Sequence, residues 1–179
     1  MGMDREHSCS FTGHRPAKLP WGFDEGDPRC LALKGAIARE LEGLYRQGFR
    51  HFLSGMAQGC DLYFAQAALE LRARRPDVTL ECALPFAGQA DRWREADRAR
   101  WRSILDACDV ETVVQEHYDR FCMHRRDRYL VDRARQILAV YDGSPGGTRY
   151  TLNYAMDQGL DILLLDLNHP EKAAVHLTL

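Results

Sequence analysis

The chain has 179 residues, 45% hydrophobic and 28% charged, with a formal net charge of −2. This length supports a single domain over residues 1–179 with a substantial core. The near-neutral balance excludes a strongly basic nucleic-acid coat or a membrane-surface protein, and no apolar run approaches the ~20 residues of a membrane span.

The predicted elements alternate. Short apolar runs at Ser8–Thr12, His51–Ser54, Val78–Leu84, Val110–Val114, Gln136–Tyr141 and Asp161–Leu167 read as strands, and most are continuous rather than alternating, which suits a parallel sheet buried on both faces. Helical patterns separate them. Leu33, Ile37, Leu41 and Leu44 form one stripe, with Gly48 as a stop. Further helices are predicted over Leu62–Arg74, Glu95–Cys108 and Arg125–Arg135, and a last one from Arg149 to about Gln158. Strand-helix repetition predicts an α/β three-layer sandwich with a mostly parallel sheet. Arg15–Pro28 reads as a long loop, and the stretch from Asn168 onward as a short edge element without an assigned place.

The six cysteines, Cys9, Cys30, Cys60, Cys82, Cys108 and Cys122, form no C-x-x-C pair, and several lie in apolar runs. With no apolar signal segment after Met1, reduced core thiols in a cytoplasmic protein are expected.

The chemistry is expected in the loops after the strands, where open α/β sheets bind ligands. Asp142-Gly143-Ser144-Pro145-Gly146-Gly147-Thr148 joins a strand to a helix and is suited to cradling phosphate on backbone N–H groups. Ser54-Gly55-Met56-Ala57-Gln58-Gly59-Cys60-Asp61 is a second such loop, in which Asp61 serves either as helix N-cap or as a partner for a ribose hydroxyl. Thr12-Gly13-His14-Arg15 places a proton carrier and a phosphate clamp at a strand tip. Leu84-Pro85-Phe86 offers an aromatic wall, although Phe86 more often belongs to a core.

Of the 24 basic residues, 21 are Arg. Those within Asp91–Arg102 and Arg120–Arg135 are interleaved with Asp91, Glu95, Asp97, Asp106, Asp127 and Asp132, so salt-bridged helix faces are expected and nucleic acid is not the expected partner. Arg126 is the member of that group expected to face the pocket. Trp93 and Trp101 beside Arg offer an interface for a homo-oligomer. There is no G-x-G-x-x-G, P-loop or G-x-S-x-G motif, and Cys122-x-His124 lacks the further ligands of a metal site, so no cofactor or metal is expected.

In this order, Phe11-Thr12-Gly13-His14-Arg15-Pro16, Ser54 to Asp61, Arg126-Asp127 with Tyr129-Leu130-Val131-Asp132, and Val140-Tyr141-Asp142-Gly143 leading to Gly146-Gly147-Thr148 resemble the YpsA-like proteins of the SLOG superfamily. That superfamily also holds the DprA/Smf proteins and the LOG phosphoribohydrolases. The resemblance runs from about Ser10 to Leu167. It implies a Rossmann-like fold binding nucleotides or nucleotide-derived ligands, in bacteria, with a suggested link to cell division or stress. The phosphoribohydrolase branch carries a Glu three residues beyond its motif Thr. Here that position is Thr151, which cannot act as a carboxylate.

The leading expectation is therefore a module that binds or senses an ADP-ribose-like or nicotinamide-nucleotide-like ligand. Gly13, Ser54, Gly55, Gly59, Gly143, Gly146, Gly147 and Thr148 would build the cradle; Arg15 and Arg126 would neutralise phosphate; Asp61 or Asp142 would orient the sugar. The alternative is a hydrolase of an N-glycosidic or phosphoester bond, with His14, Asp61 and Asp142 as catalytic candidates. A single-stranded nucleic-acid or protein interaction module ranks third.

Overall fold

The computed structural model describes residues 4–177. The strands are β1 (Ser8–Thr12), β2 (His51–Ser54), β3 (Thr79–Leu84), β4 (Val110–Val113), β5 (Gln136–Tyr141), β6 (Asp161–Asp166) and β7 (Val175–Leu177). The α-helices are α1 (Pro28–Arg46), α2 (Cys60–Arg74), α3 (Glu95–Ala107), α4 (Cys122–Asp132) and α5 (Gly147–Asp157). The strands form one seven-stranded sheet in the order β4-β3-β2-β1-β5-β6-β7. All neighbours are parallel except β7, which runs antiparallel to β6 and is the edge element of the C-terminal stretch.

Side-chain alternation along each strand divides the core. Phe11, Phe52, Leu138 and Val140 point to the face covered by α1 and α2, with Leu33, Ile37, Leu41, Leu62 and Phe64 in the same cluster. Ile137 and Ala139 point to the opposite face and pack with Val131, Leu152 and Ala155 from the α4–α5 side. Burial on both faces explains why most positions in the central strands are apolar, although β1 also buries Ser8 and Ser10. The edge strand β4 departs from the expectation, alternating half-buried and exposed residues because only one neighbour covers it. α2 is buried on nearly all sides, from Leu62 through Phe64, Ala65 and Ala68 to Leu71, so it shows no polar stripe.

The chain winds outward from β1 through β2, β3 and β4, then returns to β5 on the other side of β1. Strand order therefore reverses between β1 and β5. At that reversal the loops leaving two neighbouring strands diverge to opposite faces and open a crevice at the strands' carboxyl ends.

Several expectations change in detail. The predicted helix Arg125–Arg135 starts earlier, at Cys122, and ends at Asp132. The long Arg15–Pro28 loop contains a 3₁₀ turn at Pro16–Lys18, and it buries Leu19 and Trp21 against the core. Its end, Asp27-Pro28, starts α1: the Asp27 side chain accepts the Arg29 N–H, and Pro28 takes the first helical position, where a missing N–H does no harm. Trp101 is buried, donating its indole N–H to Gln89 and packing edge-on against Trp93, because α3 turns that side towards the core. It offers no exposed contact for an oligomer. The Arg-rich α3 does carry salt bridges at i,i+3, Arg94–Asp97 at 2.9 Å and Arg100–Asp97 at 3.9 Å.

Candidate functional site

Three loops meet at the crevice and are locked to one another. After β1, Gly13 lies against the first turn of α2: a Cβ there would come within 2.6 Å of the Cys60 Cβ. The His14 carbonyl accepts the Cys60 N–H at 3.2 Å. Gly59 precedes α2 with φ of +85°, and a side chain there would strike the His14 carbonyl at 2.8 Å. This position needs glycine both for its left-handed backbone and for the close approach.

The loop after β2 folds around Ser54 and Asp61. The Ser54 hydroxyl donates to the Asp61 carbonyl at 2.9 Å and accepts the Met56 N–H at 3.2 Å. Met56, fully buried, takes φ of 58°, a left-handed conformation that a non-glycine residue holds only where its surroundings fix it. Asp61 is not the N-cap of α2, which is Gly59. Its carboxylate instead turns back to accept the Ala57 N–H at 3.1 Å. Burial pushes the Asp61 carboxyl up to about 6, against the opposing pull of the Arg126 cation and the Ala57 N–H.

Arg126 comes from α4 and is 4% exposed. Its guanidinium lies flat against Gly55, where a Cβ would come within 2.6 Å. It donates to the Gly55 carbonyl and, at 2.7 Å, to Asp127. Gln89 donates to the same carbonyl at 3.1 Å. Asp127 and Asp61 raise the Arg126 pKa over the opposing effect of burial, so the cation is held at the cavity wall.

After β5, Asp142 makes an Asx turn: its Oδ1 accepts the Ser144 N–H at 2.9 Å, and Gly143 takes φ of +88°. The same oxygen meets His14 Nε2 at 2.8 Å, spanning the gap between the β1 and β5 tips. Burial acts to raise the Asp142 pKa, but the Ser144 and His14 bonds prevail and hold it at about 2. The carboxylate is ionised at neutral pH and can only accept. Nε2 therefore carries a proton, and in the neutral ring Nδ1 is bare and faces the Thr148 hydroxyl at 3.4 Å. With Nδ1 bare, the Thr148 hydroxyl can donate to it, and the chain Asp142–His14–Thr148 ends at the cavity with the threonine lone pairs free to accept.

α5 begins at Gly147 after Gly146, whose φ is +141°, and no side chain caps it. Its first N–H groups are those that an α-helix leaves unpaired. Lys18 reaches across from the loop after β1 to the Pro145 carbonyl, and its ammonium occupies the space a Gly146 side chain would take.

These elements enclose a cavity of about 300 Å³. Of the residues selected from sequence, Gly13, His14, Arg15, Asp61, Arg126, Gly146, Gly147 and Thr148 line it. Ser54, Gly55 and Gly59 stand behind the wall and shape it. Asp142 acts through His14, and Gly143 faces away, into a groove with Tyr141 and Arg149. Phe86 does not line the cavity; it packs edge-on against Tyr118. Lys18 and Met123 also line it and escaped sequence reasoning. Lys18 lies two residues after Pro16 in a loop, where its sequence spacing carries no signal. Thr151 does not point a functional group inward: it is buried, and its hydroxyl donates to the Gly147 carbonyl at 3.0 Å. Among the described residues, no three His, Cys, Asp or Glu side chains converge as metal ligands, and no helix is long and apolar enough to cross a membrane.

A doubly wound, Rossmann-like α/β protein with its cavity at the reversal of strand order is the class that this fold and site define. The YspA SLOG family pattern matches residues 9–166, and the chain belongs to that YpsA family. A UPF0398 protein of Halalkalibacterium halodurans is 29% identical over 149 residues, covering 82% of this chain and 78% of the relative. A UPF0398 protein of Bacillus thuringiensis (strain Al Hakam) is 26% identical over 153 residues, covering 84% of this chain and 83% of the relative. In fold, the chain is similar to DNA processing protein A (DprA) of Streptococcus pneumoniae, with a TM-score of 0.59 at 17% identity. That match covers 89% of this chain and 50% of the other, so this chain spans half the length of that relative.

Proposed function

We propose that this chain is a nucleotide-binding domain that binds or senses a nucleotide-derived small ligand of the ADP-ribose or nicotinamide-nucleotide kind, held by its phosphate at the start of α5. One observation carries this reading: the uncapped, glycine-opened N-terminus of α5 faces a cavity that Arg15, Lys18 and Arg126 also line. Backbone N–H groups, the helix dipole and three cations then converge on one anion-sized space. Asp61 and Asp127, lining the same cavity, supply acceptors for ribose hydroxyls. The free cysteines accord with a reducing, cytoplasmic setting.

Thermal-shift and calorimetric titration with ADP-ribose, nicotinamide mononucleotide and AMP tests the proposal. Binding is expected to weaken about tenfold or more in the Arg15→Ala, Lys18→Ala double variant, both side chains being exposed and outside the core. No response to any of these nucleotides from the folded protein refutes it. Since one fold relative is named for DNA processing, the titration includes single-stranded DNA. Tight, steeply salt-dependent binding of DNA alone would favour the nucleic-acid reading instead.

A second reading, hydrolysis of such a ligand, is favoured by one feature. Asp61 is a buried carboxyl with its pKa raised to about 6 on the cavity wall, suited to carrying a proton near neutral pH. Release of base or phosphate that disappears in Asp61→Asn supports it.

A further inference from the structure

α4 and α5 face each other through side chains spaced four residues apart on each helix. His124 stacks on Tyr150, with ring centroids 4.0 Å apart and an interplanar angle of 15°. Arg128 donates to the Tyr150 hydroxyl at 3.0 Å and lies over the Tyr154 ring at 5.2 Å. The Tyr154 hydroxyl donates to Asp132 at 2.8 Å. This is a ladder of interhelix contacts, and most of its rungs do nothing beyond joining the helices. In the first rung His124 differs, because it also lines the cavity, while Tyr150, Arg128, Asp132 and Tyr154 do not.

The His124 side chain is exposed, with Tyr150 as its aromatic partner among the described residues. Arg128 fixes Tyr150 from the side, so the pair is held in place before any ligand arrives. His124 lines the same cavity as Gly146, Gly147 and Thr148, so its ring and the anion-binding start of α5 border one space. Tyr150 stands behind the His124 ring and braces it. The cavity of about 300 Å³ is also at the small end for ligand pockets. Phosphate and sugar can occupy it while the base extends to the rim.

We infer that the His124–Tyr150 stack is the platform for a flat aromatic base, so that the ligand is recognised as a nucleotide and not as a bare sugar phosphate. The inference rests on the nucleotide-binding reading above. Stacking on an aromatic face suits any base, so the platform selects for a base without choosing among bases.

AMP and ribose 5-phosphate share phosphate and ribose and differ by the base, so calorimetry of the full chain with both isolates the platform. The unmodified protein is expected to bind AMP about tenfold or more tighter than ribose 5-phosphate. His124→Ala is expected to bring AMP down towards the affinity of ribose 5-phosphate and leave ribose 5-phosphate unchanged. His124→Trp, with a larger face, is expected to tighten AMP, and it decides the matter if the alanine variant unfolds. Equal affinity for the two ligands in the unmodified protein overturns the inference and leaves phosphate binding intact. Equal weakening of both by His124→Ala also overturns it, since His124 would then serve the phosphate. Failure of AMP, nicotinamide mononucleotide, ADP-ribose and ribose 5-phosphate to bind at all removes the underlying reading, and the platform with it.

Discussion

Asp61 gives the most quantitative test of how the site is built. Its carboxyl is 7% exposed and has a pKa of about 6 in the folded chain, against an ordinary value of 3.8. The folded state thus holds its proton more tightly than the unfolded state. Below pH 3.8 Asp61 is neutral in both states and carries no charge penalty. Between 3.8 and about 6 the unfolded chain loses the proton first, so rising pH erodes stability. Above about 6 the full penalty of a buried, ionised carboxylate is present. The gap between 3.8 and about 6, at about 1.4 kcal/mol per pH unit, amounts to about 3 kcal/mol.

Asp61→Asn keeps an oxygen to accept the Ala57 N–H and removes the ionisation. Urea unfolding of both proteins between pH 4 and pH 7.5 would measure it. The stability of Asp61→Asn relative to the unmodified protein is expected to rise by about 2 kcal/mol across that range, mostly below pH 6.5, the remainder of the full gap lying below pH 4. The comparison must be a difference, because other carboxylates slope the other way. Asp142, held at about 2, contributes stability above its unfolded value that is lost only as pH falls towards 2. Parallel stability–pH curves for the two proteins would refute the claim that burial outweighs Arg126 at this position.

Gly55→Ala tests the seat of Arg126. The added methyl would press within 2.6–2.8 Å of the guanidinium, which is too buried to swing aside freely. A loss of about 1–3 kcal/mol in chemical denaturation is expected, together with loss of ligand affinity. An unchanged midpoint would show that the guanidinium yields easily. Cysteine labelling tests the core: burial pushes the Cys9 thiol up to about 12 and raises Cys60 well above its ordinary value. Both are expected to resist alkylation in the native protein, while half-buried Cys108 reacts first; mass spectrometry of timed samples reads the order.

Much of the fold is legible in the residues. The runs at Ser8–Thr12, His51–Ser54 and Gln136–Tyr141 give β1, β2 and β5 with those bounds, because strands buried on both faces are short, largely apolar and free of acidic and basic residues other than a paired His51. The start of α4 was hidden, since Cys122-Met123-His124 has no capping residue and no apolar periodicity before Arg126. Trp101 stands between Arg100 and Arg102, neighbours that suggest a surface interface, yet at helical spacing a residue between two arginines still turns inward.

Read alone, the residues mark six of the seven strands, the glycine-bearing turns that end several of them, and the supply of Arg near those turns. Local sterics and burial act over a few residues and leave a readable pattern. Which turns share a cavity follows from the packing of the layers. Strand order places β1 beside β5, so His14 meets Asp142 and Thr148 although well over a hundred residues separate them in the chain. It also decided that Gly55 is a seat for Arg126 while Gly146 opens a helix towards Lys18. Contacts of that range depend on how whole layers pack, and nothing in a local stretch of sequence encodes that packing.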